Sequence, residues 1–382
     1  MAKEIRCALI GQAFMGKAHS NAYRQVARFF DLPLVPVMER IAARDGDSLT
    51  PFAKSQGWRS WTTDWRSLCE DPAISLVDVA TPNHLHRDMC LALLRAGKHV
   101  ACEKPLASTL DQAREMRNAA RKAKSSRTFI WFNYRRAPAI ALAWKTMREG
   151  RLGKIYHVRA SYLQSWGGPE TPMGWRFKKK TAGSGAHGDL NAHLVDLARF
   201  LLGEEIVEVH GALARTFVKQ RTWPETGKRA RCDVDDVTLF LATFAGGATA
   251  SFEATRLAPG HLNDNTIEIN GELGSLRWNL ENMNELWLHE EAECPGESGW
   301  RRISATDGEH HPYASAWWPA GHVIGYEHTF INQLSDMLRV LAGEEPVVPL
   351  PDFADAYETQ RVLEAAMVSA VEHCSVPLKE IR

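Results

Sequence analysis

One short segment constrains this chain more than any other. The apolar run Ile5–Ile10 passes directly into Gly11-Gln12-Ala13-Phe14-Met15-Gly16. A short aliphatic run bounded by glycine reads as a buried strand. Glycines placed at its end read as a tight turn into the next element. Further apolar runs follow at Leu34–Ala42, Leu76–Ala80, His99–Cys102 and Phe129–Phe132, with helical patterns between them at Met89–Ala96 and Leu110–Lys124. Strands that alternate with helices build βαβ units and a parallel sheet.

The glycine segment matches G-x-G-x-x-G with Ala13 in the second glycine position. In that pattern the backbone closes on a pyrophosphate, and the amides of the following helix N-terminus supply donors. Gly11, Ala13, Phe14, Met15 and Gly16 are therefore candidate dinucleotide-binding residues. The end of the second strand reads Ala42-Ala43-Arg44-Asp45. An acid there holds the ribose 2′-hydroxyl of NAD, whereas an arginine suits the 2′-phosphate of NADP. Ala43 stands where the acid is expected, with Arg44 beside it, which leans toward NADP. A solvated Arg44 with Asp45 on the ribose is the competing reading.

Beyond about residue 150 the texture changes. Ile155–Gln164, Ile206–Val218, Val237–Phe244, Thr249–Leu257, Thr266–Asn270 and Ser275–Leu280 read as strands, with Gly246-Gly247 as a two-residue hairpin turn. Asp189–Leu202, Tyr326–Ala342 and Phe353–His373 read as helices, and Glu290–Trp318 as loop. Consecutive strands with tight turns make an α+β domain with a mostly antiparallel sheet. The expected architecture is α/β, with a Rossmann domain over 1–132 and an α+β domain over 133–382. The C-terminal helix is expected to pack back on the first domain.

Composition excludes several classes. A length of 382 residues suits two domains, and 46 Lys plus Arg against 46 Asp plus Glu leaves no basic excess for nucleic acid. No stretch reaches the roughly 18 apolar residues of a membrane span, and the N-terminus lacks a signal-peptide pattern. The seven cysteines (7, 69, 90, 102, 232, 294 and 374) are scattered, as reduced thiols in a cytosol would be. Thirteen tryptophans stand out. Trp58, Trp61 and Trp65 read as packing residues; Trp166 and Trp175, with Trp317 and Trp318, are candidates for a sugar-binding surface.

Glu103-Lys104-Pro105 follows the fourth strand of the first half. A lysine at the carboxyl end of a parallel strand faces the ligand crevice and can hold a substrate oxygen. In the helix that begins near Asp189, helical geometry puts Asp189, His193 and Asp196 within about 60° of one another. A carboxylate beside an imidazole orients the ring and supports its protonated form, which suits acid–base work. No third ligand has convincing metal spacing, and none is expected.

These elements occur in one order: a Rossmann first half, E-K-P, D-x-x-x-H and a β-rich second half. In that order they resemble the glucose–fructose oxidoreductase / inositol dehydrogenase / MocA family over essentially the whole chain. Ala80-Thr81-Pro82-Asn83-His84-Leu85-His86, Asn133-Tyr134-Arg135-Arg136 and Gly174-Trp175-Arg176-Phe177 match it as well. Within the family, Tyr162-Leu163-Gln164-Ser165-Trp166, Asp233-Val234-Asp235-Asp236 and His311-Pro312-Tyr313 resemble the levoglucosan dehydrogenase-like sugar 3-dehydrogenases.

The resemblance implies an NAD(P)-dependent oxidation of a secondary ring hydroxyl in a neutral sugar, anhydrosugar, glycoside or inositol. It implies Lys104, His193 and Asp189 as catalytic residues. The cofactor would lie against the glycine loop, Ala43, Arg44, Thr81, Pro82, Asn83, His86, Glu103, Lys104, Trp175 and Arg176. The substrate would meet Lys104, Tyr134, Gln164, Trp166, Arg176, Asp189, His193 and Tyr326. It further implies a homodimer or homotetramer assembled through an open sheet face. Three rival activities share the resemblance: a glycosidase with internal redox, a dihydrodiol dehydrogenase-like NADP enzyme and a non-catalytic dinucleotide sensor. The A-A-R-D segment resembles the NADP-linked members, while the substrate segments resemble NAD-linked ones.

Overall fold

The computed structural model describes residues 3–291 and 296–381, so Cys294 lies outside the described residues. The chain forms two compact units, Met1–Arg136 with Pro312–Tyr357, and Ala137–His311 with Glu358–Arg382.

The first unit carries β1 (Lys3–Ile10), β2 (Leu34–Ala42), β3 (Ser60–Thr62), β4 (Leu76–Val79), β5 (His99–Cys102) and β6 (Thr128–Ile130). All pairings are parallel, in the order β3-β2-β1-β4-β5-β6. The chain winds outward in both directions from β1, so the order reverses between β1 and β4. Ligands of such sheets bind outside the strand carboxyl ends at that switch point. Helices α1 (Phe14–Phe29), α2 (Gly46–Gln56), α3 (Ser67–Glu70), α4 (His86–Arg95) and α5 (Leu110–Lys122) connect the strands. Strand β3 is short and polar, and the sequence carries no apolar run to announce it. Cys7, Leu9, Ile41, Leu76, Ala101 and Phe129 are buried from the sheet. Ala22, Tyr23 and Val26 come from α1, and Phe330, Leu334 and Met337 from a later helix, Tyr326–Ala342.

The second unit begins with α6 (Pro138–Arg148) and is built on a nine-stranded sheet. Its strands are β7 (Ile155–Leu163), β8 (Ile206–Arg215), β11 (Val237–Phe244), β12 (Thr249–Thr255), β13 (Asp264–Gly271), β14 (Gly274–Asn279), β15 (Glu285–Glu290), β16 (Arg301–Ser304) and β17 (Val376–Pro377). Strands β9 (Gln220–Thr222) and β10 (Arg229–Arg231) pair separately. The large sheet runs β16-β15-β14-β13-β7-β12-β11-β8-β17. It is antiparallel except where β7 lies parallel to β12. Helix α7 (Lys179–Ala182) precedes α8 (Ala192–Leu202), which packs on β7 and β13. Helices α9 (Tyr326–Ala342) and α10 (Phe353–Glu372) close the chain, α9 in the first unit. No helix among the described residues is long and apolar enough to cross a membrane.

Three local expectations are corrected. Gly246-Gly247 is not a two-residue turn. The Gly247 amide donates to Phe244 O at 2.9 Å and the Phe244 amide to Ala248 O at 2.9 Å, so the loop has three residues and ends on Gly247 at φ +90. This is the type I turn with a left-handed closing residue that three-residue hairpins use. The stretch Glu290–Trp318 is not all loop, because Arg301–Ser304 pairs with β15 as β16. The helix expected from Asp189 opens instead as a π-turn over His187–Asn191, before α8 proper.

Candidate functional site

In the first unit the phosphate loop is shaped by steric necessity. Gly11 sits at φ +120, and a Cβ there would lie 2.3 Å from Ala80 O. A Cβ on Gly16 would lie 2.3 Å from Gly11 O. Both glycines are therefore required for the loop to close against β4. Ala13 is different: it is the N-cap of α1 at φ −73 and ψ −160, a conformation open to any residue. Its side chain makes no cap hydrogen bond, which leaves the first amides of α1 available to an anion. This backbone cradle fits a dinucleotide pyrophosphate. Phe14 is exposed and stacks on Tyr326 at 6.4 Å, and Tyr326 meets Tyr134 edge-on at 6.3 Å. The predicted substrate residues Tyr134 and Tyr326 thus belong to an aromatic cluster beside the loop.

The residues after β4 and β5 occupy the same end of the sheet. Thr81, Pro82, Asn83 and Lys104 are half-buried. The Lys104–Pro105 bond is cis. His86 is fully buried, and its ring nitrogens lie 2.8 Å from Thr81 O and 3.1 Å from Pro105 O. It ties the loop after β4 to the loop after β5 and holds the predicted cofactor residues from beneath. Glu103 is also buried; its carboxylate accepts the Lys104 amide at 3.1 Å.

A residue the sequence analysis passed over, His19, anchors this end of the sheet. It lies on α1, three residues past Gly16, and is wholly buried. Nδ1 donates to Asp78 at 3.0 Å and Nε2 to Glu103 at 3.0 Å, while the ring packs on Trp131 at 4.3 Å. Burial alone would lower the pKa of the imidazole, but the Asp78 and Glu103 carboxylates outweigh it and raise the value to about 9. The imidazolium joins the helix behind the phosphate loop to the two strands on the far side of the switch point.

At the end of β2, Ala43 is half-buried and Arg44 exposed. Asp45 caps α2, accepting the Asp47 amide at 3.1 Å and the Ser48 hydroxyl at 2.5 Å.

In the second unit the π-turn has a visible cause. The Gly185 and His187 amides both donate to the Asp235 carboxylate, each at 2.7 Å, and a Cβ on Gly185 would lie 1.8 Å from Asp235 O. The glycine admits this approach, and the turn widens into an i→i+5 pattern common at functional sites. The extra residue changes the phase between Asp189 and α8 from that of a regular helix. Asp189 pairs with Arg256, Nη2 to Oδ2 at 2.7 Å. His193 and Asp196 are buried on α8, so the expected polar stripe is not a solvated face.

Around Asp189 a connected polar surface extends along β7 and its neighbours. The Arg256 guanidinium lies 4.8 Å over the Trp166 ring. Trp166 Nε1 donates to Gln164 at 2.5 Å, and Gln164 Nε2 donates to Asn263 Oδ1 at 2.8 Å. Tyr162 donates to the same oxygen at 2.6 Å and meets the His193 ring edge-on at 6.1 Å. Gln164, Trp166, Asp189 and His193, separate in sequence, are thereby brought together. Trp175 and Arg176 stack on each other at 4.5 Å and are half-buried in the same unit. Arg221 is buried beneath Phe177 and donates to the carbonyls of Gly168 at 2.6 Å and Thr171 at 3.0 Å, fixing the loop after Trp166. Arg256, Asn263 and Arg221 escape sequence reasoning because each acts through long-range pairing. A basic residue that ends an apolar strand run is the faint signal for Arg256.

Of the tryptophans proposed for a sugar surface, Trp317 is corrected. It is buried against Phe29 and Phe30, and its indole N–H reaches Asn332 at 3.1 Å. Trp318 is partly exposed and packs edge-on to Phe29 at 5.6 Å.

A family model described as an oxidoreductase family with an NAD-binding Rossmann fold matches residues 5–129. The GFO/IDH/MocA C-terminal domain model matches residues 140–277. Levoglucosan dehydrogenase of Pseudarthrobacter phenanthrenivorans is 38% identical over 99% of this chain and 99% of its own length. The scyllo-inositol 2-dehydrogenase (NAD(+)) of Bacillus subtilis is 29% identical over 72% of this chain and 74% of its own. Among solved structures, an oxidoreductase domain protein from Kribbella flavida superposes with TM-score 0.94 at 46% identity, covering 99% of this chain and 100% of that one. A levoglucosan dehydrogenase complex with NADH and levoglucosan gives TM-score 0.91 at 38% identity, covering 98% and 99%. With matching family models on both halves and a full-length relative, the chain belongs to the GFO/IDH/MocA family of NAD-binding oxidoreductases.

Proposed function

We propose that this oxidoreductase oxidises a secondary ring hydroxyl of a neutral sugar or anhydrosugar to the ketone, as a dehydrogenase of the levoglucosan type. The observation that carries the reading is the assembly of Trp166, Gln164, Asp189 and His193 around Arg256 and Asn263. An indole face suits the apolar face of a sugar ring, and the amide and carboxylate beside it suit hydroxyl groups.

A nicotinamide dinucleotide held by Gly11, Gly16 and the first amides of α1 would supply the hydride-transfer chemistry. The chain supplies the rest. The phosphate loop and the uncapped amides of α1 hold the pyrophosphate. His193 takes the hydroxyl proton as general base, and Asp189 accepts a hydrogen bond from a neighbouring hydroxyl. Lys104 stabilises the developing alkoxide with its ammonium. His19 and His86 position the loops that present Lys104 and Asn83.

Cofactor reduction measured over a panel of neutral sugars, anhydrosugars and inositols tests the reading. Turnover of at least one neutral carbohydrate is expected, with loss in both Lys104→Ala and His193→Ala. Turnover that survives both substitutions would sink the assigned roles, and preference for a sugar phosphate would sink the neutral-substrate reading.

The protein works as a homodimer or homotetramer through the face of the large sheet opposite α8. Leu213 of β8, with Leu239 and Leu241 of β11, is exposed there, flanked by the charged residues Arg159, Glu253 and Glu268. Self-association of this patch removes apolar area from water. Light scattering of the wild type and of Leu241→Asp tests it: a monomeric wild type would end the idea.

A further inference from the structure

We infer that Arg221 is the positioning residue of the Trp166 indole, and that the β9–β10 hairpin which carries it sets the protein's selectivity among sugars. The inference rests on the dehydrogenase reading above and deepens it. Trp166 belongs to a stack in which cations and rings alternate. The Arg256 guanidinium lies 4.8 Å over the Trp166 ring, Phe177 meets that ring at 5.7 Å, and the Arg221 guanidinium lies 3.8 Å over Phe177. In both outer pairs a cation sits on the negative face of an aromatic ring. Trp166 is thereby held from the residue after β12 and, through Phe177, from β9.

The same two arginines fix the backbone beside the indole. Gly167 and Gly168 follow Trp166, so the chain there has little stiffness of its own. The Gly167 amide donates to Arg256 O at 2.9 Å, and a Cβ on Gly167 would lie 2.7 Å from Arg256 Cβ. Its carbonyl accepts from Arg221 Nη2 at 2.5 Å. Nη1 of the same guanidinium takes Gly168 O at 2.6 Å and Thr171 O at 3.0 Å. The residue after Trp166 is therefore pinned at its amide by Arg256 and at its carbonyl by Arg221.

The hairpin is organised around this contact. Arg221 stands opposite Ala230 and is buried, whereas Gln220, Thr222, Arg229 and Arg231 are exposed, as alternation along paired strands requires. Beneath it lies a small core of Met173, Phe177 and Cys232, to which the loop after Trp166 contributes Met173 and Phe177. The Met173 amide also donates to Thr222 O at 2.8 Å. Asp236, the ion-pair partner of Arg221 at 3.9 Å, holds the Phe217 and Val218 amides at 2.8 and 2.9 Å and so anchors the approach to β9. A buried arginine is a costly way to fill space, and an apolar side chain of similar volume often serves stability as well. Arginine alone supplies a planar fork for several carbonyls together with a face that stacks on a ring. That combination sets the angle of the Trp166 plane. The angle decides which hydroxyls of a sugar packed on the indole reach Gln164 and Asp189.

Steady-state kinetics over the panel of neutral sugars, anhydrosugars and inositols, with amide hydrogen exchange of the full-length protein, tests this in wild type, Arg221→Lys, Phe177→Leu and Arg229→Ala. Arg221→Lys keeps the charge but loses the fork and the stack. Its sugar KM should rise about tenfold, with kcat within about threefold of wild type and NADH affinity unchanged. The ratio of kcat/KM between two sugars of the panel should shift by at least about threefold. Exchange of the amides at 167–173 should speed up, since their anchor is weakened. Phe177→Leu should give the same kinetic pattern with the Arg221 side chain intact, which keeps the test decisive if Arg221→Lys folds poorly. Arg229→Ala removes an exposed cation from the same hairpin and should match the wild type. Unchanged sugar KM and selectivity in both Arg221→Lys and Phe177→Leu would overturn the inference and leave the dehydrogenase reading intact. So would a parallel loss of kcat, sugar affinity and NADH affinity, the mark of a merely structural role. A wild type that turns over no carbohydrate of the panel would overturn the dehydrogenase reading, and this inference with it.

Discussion

Arg256 Nη2 stands 2.7 Å from Asp189 Oδ2, and the same guanidinium lies 4.8 Å over the Trp166 ring. One buried cation thus orients both a carboxylate and an aromatic plane. Removing it in Arg256→Met should cost about 3–5 kcal/mol of stability, the usual result of leaving one partner of a buried pair. Arg256→Lys keeps the charge but loses the planar stack. It should fold and lower kcat/KM at least about tenfold, an effect of ~1.4 kcal/mol. Thermal unfolding beside steady-state kinetics checks this; wild-type kinetics in Arg256→Lys would remove the positioning role.

The His19 bridge makes a pH prediction. Its folded pKa of about 9 exceeds the ordinary 6.5, so the proton is bound more tightly in the folded state. The stabilisation is complete below about pH 6.5 and declines as pH rises through about 9, a span worth roughly 3 kcal/mol. His19→Gln should be less stable at pH 6, with the gap to wild type closing by pH 10. Urea unfolding at several pH values reads it directly, and parallel profiles for the two proteins would refute the bridge.

The glycine loop separates two positions that look alike in sequence. Gly11→Ala places a Cβ 2.3 Å from Ala80 O at φ +120, and should abolish tight NADH binding with about 1–3 kcal/mol of backbone strain. Ala13→Gly relieves nothing, since Ala13 already sits at φ −73. Its NADH affinity should stay within about threefold of wild type. Fluorescence titration distinguishes the two, and a large gain in Ala13→Gly would contradict the loop geometry.

Asn263 Oδ1 accepts from both Tyr162 and Gln164. Asn263→Ala leaves both donors without that acceptor and frees Gln164 and Trp166 to turn. The expected result is a rise in sugar KM of about tenfold with NADH affinity unchanged, which separates substrate positioning from folding. An equal loss of both would mark Asn263 as a general structural residue.

Much of this arrangement is legible in sequence because it is locally encoded. Strands β2, β5 and β11 fall where the apolar runs place them, and Gly11 and Gly16 announce the turn that only glycine can make. Lys104, His193 and Asp189 draw notice in sequence because their residue types and spacing suit the proposed chemistry. His19 and Arg256 are not, because their meaning lies with partners 59, 84 and 67 residues away. A helix period also does not disclose the π-turn at His187–Asn191, which the Asp235 carboxylate draws out across β-sheet connections.

The parallel and antiparallel halves, the phosphate loop and the family are written in the order of the residues, since strand patterns and glycine sterics depend on near neighbours. Which charges are spent inside the protein and which face solvent emerges only when distant segments pack together. Asp45, Glu103 and His86 are engaged by neighbouring groups, while Arg44 reaches solvent. Burial and pairing set that division, because an ionic group withdrawn from water must find its partner within the fold, and such partners are chosen by chain topology rather than by adjacency.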